Sequence, residues 1–166
     1  MMSREWSSLP PATRASLEEV QAAVPVKLSA LARLLGLTIK SATLAAGISG
    51  EIRPDPANPG RYVIRVNRHD SPERQRFTIA HEIGHFLLHR EQIGDGITDD
   101  VLYRSTLSDR REAEANRIAA DILMPDRLIN QALDRAKLIG VDDVPEYLAR
   151  QFEVSDAAMK IRLGLK

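Results

Sequence analysis

The chain has 166 residues, enough for one domain or one domain with a small appendage, and its 43% hydrophobic and 28% charged content suits a globular protein with a real core. Twenty-three lysines and arginines balance 23 aspartates and glutamates, and this net charge of zero argues against a free-standing nucleic-acid binder, which needs a basic excess. There is no cysteine, so disulfide scaffolds and thiolate metal sites are excluded and any metal must rely on His, Asp or Glu.

Residues 1–11 are polar, contain Trp6, Pro10 and Pro11, and read as a disordered lead-in without the apolar centre of a secretory signal. No apolar run approaches the roughly 20 residues that span a bilayer. The expected setting is the reduced cytoplasm, with no membrane partner. Leu17, Val20 and Val24 recur at helical spacing and predict a helix over 13–23, ended by Pro25. A second helix is expected over 28–35, with Leu28, Leu31, Leu34 and Leu35 on one face and Gly36 as its C-cap.

Thr38, Ile39 and Lys40 open an extended stretch, and Glu51, Ile52 and Arg53 read as a short strand before Pro54. Dense turn residues over 55–60 lead into 61–67, where Tyr62, Ile64 and Val66 alternate with Arg61, Val63 and Arg65. The arginines predict an edge strand. Such an edge would accept a peptide by β-addition, with Val63 and Arg65 as substrate-binding positions.

Ser71, Pro72 and Glu73 form a strong helix start (N-cap, N1 proline, first-turn carboxylate), and this helix should run to about residue 89 or 90. A polar loop is expected over 94–100. The next helix is capped by Ser108 or Asp109 and stops at Pro125, which opens another helix over 126–137. After a loop over 140–145, two short helices are expected over 146–152 and 155–163. Two helices, a small sheet and an all-helical second half make an α+β fold. The expected organisation is a lead-in and helix over 1–24, a core over 25–137, and a helical segment over 138–166 packed on that core.

The chemistry concentrates in His81-Glu82-Ile83-Gly84-His85. Residues i and i+4 share a helix face, so both imidazoles can aim at one point. Glu82 is offset by about 100°. It cannot share that point but can reach a water held there, the division of labour a zinc hydrolase needs. Gly84 costs the helix interior about 1 kcal/mol, which implies a close packing contact beside the site.

A catalytic zinc needs a third protein ligand. His89 lies ~12 Å along the rod from His81, too far to share an ion, and reads as a structural or supporting histidine. His69 reads as a surface residue. Glu112 and Asn116 are i and i+4, so one can ligate while the other steadies a ligand imidazole. Spacing favours a role for one of the glutamates, Glu112 or Glu114, without choosing between them.

The run Arg74-Gln75-Arg76-Phe77-Thr78-Ile79-Ala80 leading into the metal motif, then Phe86-Leu87-Leu88-His89, Glu112-Ala113-Glu114-Ala115-Asn116 and Leu123-Met124-Pro125, resembles the ImmA/IrrE family of metallopeptidases. The similarity covers about residues 25–166, including the closing Phe152-Glu153-Val154-Ser155 segment. It implies a small antiparallel sheet packed on a zincin-type active-site helix, with an all-helical C-terminal half. The implied gluzincin-like site has His81, His85 and Glu112 as ligands, Glu82 as general base and acid, and Asn116 behind a ligand imidazole. One Zn2+ per chain is implied, though the same ligands accept Mn2+ or Fe2+. The implied activity is endoproteolysis of a Cro/CI-like helix-turn-helix repressor, derepressing stress, phage or mobile-element genes. Arg117-Ile118 departs from the family, where an aromatic is usual at the second place. Tyr103 is a candidate donor to the substrate.

Two other classes compete. The rhythm of 148–163 suits a helix-turn-helix, but Lys160, Arg162 and Lys166 are few cations for DNA, and two helices packed on a core fit better. A metal-containing regulatory or toxin–antitoxin partner would keep the site without proteolysis.

Overall fold

The computed structural model describes residues 1–100 and 106–166, and side chains outside 99–109. Tyr103 lies outside the described residues. In chain order the elements are α1 (Arg4–Ser8), α2 (Pro11–Val20), α3 (Leu28–Leu35), β1 (Leu37–Ala42), β2 (Ile48–Pro54), β3 (Tyr62–Asn67), α4 (Pro72–Leu88), a 3-10 turn (Arg90–Gln92), β4 (Ile97–Asp100), α5 (Thr106–Leu123), α6 (Asp126–Ile139), α7 (Val144–Phe152) and α8 (Asp156–Arg162). The α+β reading holds.

Local chemistry explains most boundaries. Leu28, Leu31 and Ala32 bury one face of α3, and Gly36 ends it in the left-handed region at φ 73°. Ser71 caps α4 by accepting the Arg74 N–H, with Pro72 at N1. Asp143 caps α7 through the Glu146 N–H, so that helix starts earlier than expected, at Val144. Ser155 caps α8. Ser108 and Asp109 lie inside α5, which is already helical at Thr106.

The sheet order is β1-β3-β2-β4. β3 runs parallel to β1 and antiparallel to β2, and β4 pairs antiparallel with β2, so the sheet is mixed rather than antiparallel throughout. The expected edge position of β3 is overturned: it is a central strand with both sides paired. Val63 is buried, and Arg65 reaches across to Glu51 at 2.6 Å instead of facing water. An ion pair across neighbouring strands lets an arginine sit in the middle of a sheet. The polar loop expected near 97 is also corrected, because Ile97 is buried and the segment forms the outer strand β4.

α4 packs on β2 and β3 on one side and on α5 on the other. A single hydrophobic cluster runs from Trp6 and Leu17 through Ile83 and Ile118 to Phe152 and Met159. Residues 1–11 are therefore not a disordered lead-in. α1 buries Trp6, Leu9 follows it into the core, and Ser3 caps it. The anchors lie more than a hundred residues away, out of reach of any local pattern. Arg117 donates to both Glu5 oxygens at 3.0 and 2.6 Å, and Ser3 N–H donates to buried Asp121 at 3.1 Å. Arg162 pairs with the other Asp121 oxygen at 3.0 Å, tying α8 to the same point.

The Arg117 guanidinium holds the Glu5 carboxyl at about 2, below its usual 4.5, against the opposing effect of burial. A carboxyl depressed on folding stabilises fully above its unfolded value and loses that contribution as pH falls through the folded one. Urea titrations should therefore show stability falling from about pH 4.5 towards pH 2. Glu5→Gln should remove part of the slope, on the order of 1–2 kcal/mol once the half-exposed arginine is allowed for. An unchanged slope in the variant would place the acid sensitivity elsewhere.

Candidate metal centre

α4 presents His81, Glu82 and His85, all buried, towards α5 and β2. α5 answers with Glu112, Glu114 and Asn116. The two helices approach closely at Gly84, where an added Cβ would lie 2.6 Å from Ile118 Cγ2 and 3.2 Å from the Ala115 carbonyl. The close contact expected from a mid-helix glycine is thus with α5, the helix that carries Glu112.

The ligand atoms of His81, His85 and Glu112 all lie within 4.8 Å of one another. His81 Nε2 is 2.8 Å from Glu112 Oε2, His85 Nε2 is 3.1 Å from Glu112 Oε1, and the two Nε2 atoms are 3.1 Å apart. Atoms held at roughly 2.0–2.1 Å by a tetrahedral ion stand about 3.3 Å from each other, so the triangle is close to a coordination face. Proton accounting points the same way. Asn116 Oδ1 is 2.8 Å from His81 Nδ1 and can only accept, so His81 donates through Nδ1. A neutral ring then leaves a lone pair on Nε2, aimed at a carboxylate oxygen. Converging lone pairs of two imidazoles and a carboxylate fit a divalent cation.

Glu82 lies outside that converging set. Its carboxylate is fully buried beside β2, where a Cβ on Gly50 would come within 3.6 Å of Glu82 Oε1 and 2.4 Å of Thr78 Cγ2. The glycine is required by the Thr78 methyl and by the Arg65 carbonyl, 3.1 Å from the same added Cβ, so it lets α4 pack closely on β2 beside this carboxylate, a requirement that the sequence signals by nothing beyond the residue itself. Asn116 occupies the place behind His81 given above. Val63 and Arg65 are tied into the sheet as described, and His69 is exposed in the turn before α4.

His89, set aside from the metal on spacing, and Glu114, which spacing left level with Glu112 and the family resemblance left out of the ligand set, form a further layer. His89 ends α4 with φ −127° and ψ 26°, outside helical geometry, and its Nδ1 lies 3.0 Å from His85 Nδ1. Its Nε2 is 3.1 Å from Glu114 Oε2, and Arg110 Nε donates to Glu114 Oε1 at 3.2 Å. Burial pushes His89 below the usual imidazole value, only partly offset by Glu114. Burial works to raise Glu114, but the hydrogen bonds from His89 and Arg110 prevail and hold it low. The signal in the sequence was the repeat of histidine at 81, 85 and 89, each four residues from the last.

Among described residues, no helix is long and apolar enough to cross a membrane. A peptidase family described as the IrrE N-terminal-like domain matches residues 35–164. The radiation response metalloprotease IrrE of Deinococcus radiodurans is 42% identical over 87 residues, covering 47% of this chain and 24% of that protein. Its namesake in Deinococcus deserti is also 42% identical over 87 residues, covering 28% of that protein. The metallopeptidase ImmA of Bacillus subtilis is 27% identical over 99 residues, covering 60% of this chain and 55% of that one. The match thus spans about a quarter of each IrrE protein and about half of ImmA. A solved structure titled as a Mycobacterium tuberculosis transcriptional regulator shares the fold, with TM-score 0.64 and 20% identity over 99% of this chain and 48% of that one. With a family match over most of its length, and the candidate metal ligands His81, His85 and Glu112 inside that match, the chain belongs to the family of the IrrE N-terminal-like domain.

Proposed function

We propose that the chain is a cytoplasmic zinc endopeptidase that cleaves a Cro/CI-like helix-turn-helix repressor and so derepresses stress, phage or mobile-element genes. The observation that carries the activity is the convergence of His81, His85 and Glu112 with buried Glu82 one residue along the same helix. The repressor substrate rests on the family resemblance. When bound, zinc supplies an acidified water and a charge that polarises the peptide carbonyl. Glu82 takes the proton of the attacking water and passes it to the leaving amine. His81, His85 and Glu112 hold the ion, and Asn116 keeps His81 in the tautomer that ligates.

Strand addition, excluded at β3, would use the outer strand β4 instead. Gly50, beside Glu82, pairs with Asp99 of β4, which brings that strand alongside the general base. An extended substrate backbone laid along β4 would present its carbonyls near the site. DNA binding through α7 and α8 is disfavoured. The cleft at their turn is lined by Glu73, Glu146, Glu153 and Asp156 against Arg150. Arg162, counted among the few cations there, is nearly buried on Asp121. Carboxylates in that number repel phosphate.

The test is incubation of the purified chain and zinc with the repressor encoded beside its gene, with casein in parallel and chelator controls. Cleavage of the repressor that disappears with chelator is expected. Casein cut and repressor intact would overturn the substrate. One zinc bound per chain with neither protein cut would overturn the peptidase in favour of a metal-containing regulatory partner.

A further inference from the structure

We infer that His89, backed by Glu114 and Arg110, is the positioning residue that decides which nitrogen of His85 faces the metal centre. The inference rests on the metal reading above and extends it outward by three side chains. The order of protons follows from what each group can do. Ionised Glu114 only accepts, so the His89 nitrogen 3.1 Å away, Nε2, carries the ring proton. A neutral ring has one such proton, so His89 Nδ1 is an acceptor. It faces His85 Nδ1 at 3.0 Å, and His85 must donate there. That leaves His85 Nε2 with its lone pair directed at the point shared with His81 Nε2 and Glu112 Oε1, each 3.1 Å away.

The two ligand imidazoles are therefore set by different means. His81 gives its Nδ1 proton directly to the Asn116 amide oxygen, whereas His85 gives its own to another imidazole. An imidazole can present either a donor or an acceptor, so it orients His85 only while something fixes its own tautomer. Glu114 does this, and Arg110, on the surface of α5, holds the carboxylate in place. His89 is only 4% exposed, and these partners account for both of its ring nitrogens. His89 closes α4 with its N–H on the His85 carbonyl at 2.7 Å, and its place four residues on brings the two ring centroids to 5.2 Å.

The experiment compares zinc affinity, by competition with a chromophoric chelator, in wild type, His89→Leu, His89→Asn and Glu114→Ala. Long-range proton–nitrogen NMR on the zinc-loaded proteins reads the His85 tautomer. His89→Leu keeps the bulk and removes the acceptor; it should weaken zinc binding about 10- to 100-fold. His89→Asn restores an oxygen near the Nδ1 position and should recover most of the loss, with the His85 proton on Nδ1 as in wild type. Should the leucine variant fail to fold, Glu114→Ala, at a partly exposed site, should still weaken zinc binding and give mixed His85 tautomers. Wild-type affinity in both His89→Leu and Glu114→Ala, or an asparagine variant as weak as the leucine one, would overturn the inference. A wild type that binds no zinc would instead defeat the metal reading beneath it.

Discussion

Glu82→Gln should lower peptide hydrolysis by ~10²–10⁴-fold, the usual range for removing a general base and acid, while the variant still binds one zinc per chain. The amide matches the carboxylate in shape and fills the same buried space beside Gly50 and Thr78, so the fold should be unaffected. Glu82 is also not one of the three residues whose ligand atoms converge. Only the ability to take up and return a proton is lost. The check is kcat/KM on a peptide cut by the wild type, beside zinc content and melting temperature. A variant with full activity would remove Glu82 from the chemistry. One that lost its zinc would make Glu82 a part of the metal centre instead.

Gly84→Ala should destabilise the protein and weaken its zinc binding together, and Gly84→Val should do both more strongly. Taken alone, alanine in a helix interior is better than glycine by ~0.5–1 kcal/mol. Here the new methyl would meet Ile118 Cγ2 at 2.6 Å and the Ala115 carbonyl and Cα at 3.2 and 3.3 Å. Backbone cannot swing aside, and the Ile118 methyl is branched and fully buried. Overpacking of this kind costs about 1–3 kcal/mol and should exceed the propensity gain. Ala115 lies between Glu112 and Asn116, so pushing α5 away at that point moves a ligand and the group that orients His81. Thermal melts of the metal-free proteins and chelator competition for zinc measure the two effects. A higher melting temperature with wild-type zinc affinity would show that the helix contact is slack.

What could be read along the chain was what depends on near neighbours. His81, Glu82 and His85 fall on their relative faces because helix geometry is set over a single turn. Ser71 with Pro72, Gly36 and Ser155 mark their helix ends for the same reason: caps are made by side chains and carbonyls within a few residues. Gly84 announced a close approach, because no other residue type would be left in mid-helix at that cost.

Everything that required two distant segments to meet was decided by tertiary structure. The arginines of 61–67 suggested an edge, yet Arg65 is accommodated inside the sheet by Glu51 on the neighbouring strand, and strand order is not written in one strand's alternation. The opening residues looked unanchored because Arg117 and Asp121, which hold Glu5 and Ser3, lie on α5. Spacing left Glu112 and Glu114 as equals. In the fold Glu112 faces the imidazoles of both His81 and His85 while Glu114 turns to His89. A position on a helix sets the direction of a side chain, but what it meets depends on which element lies across from it.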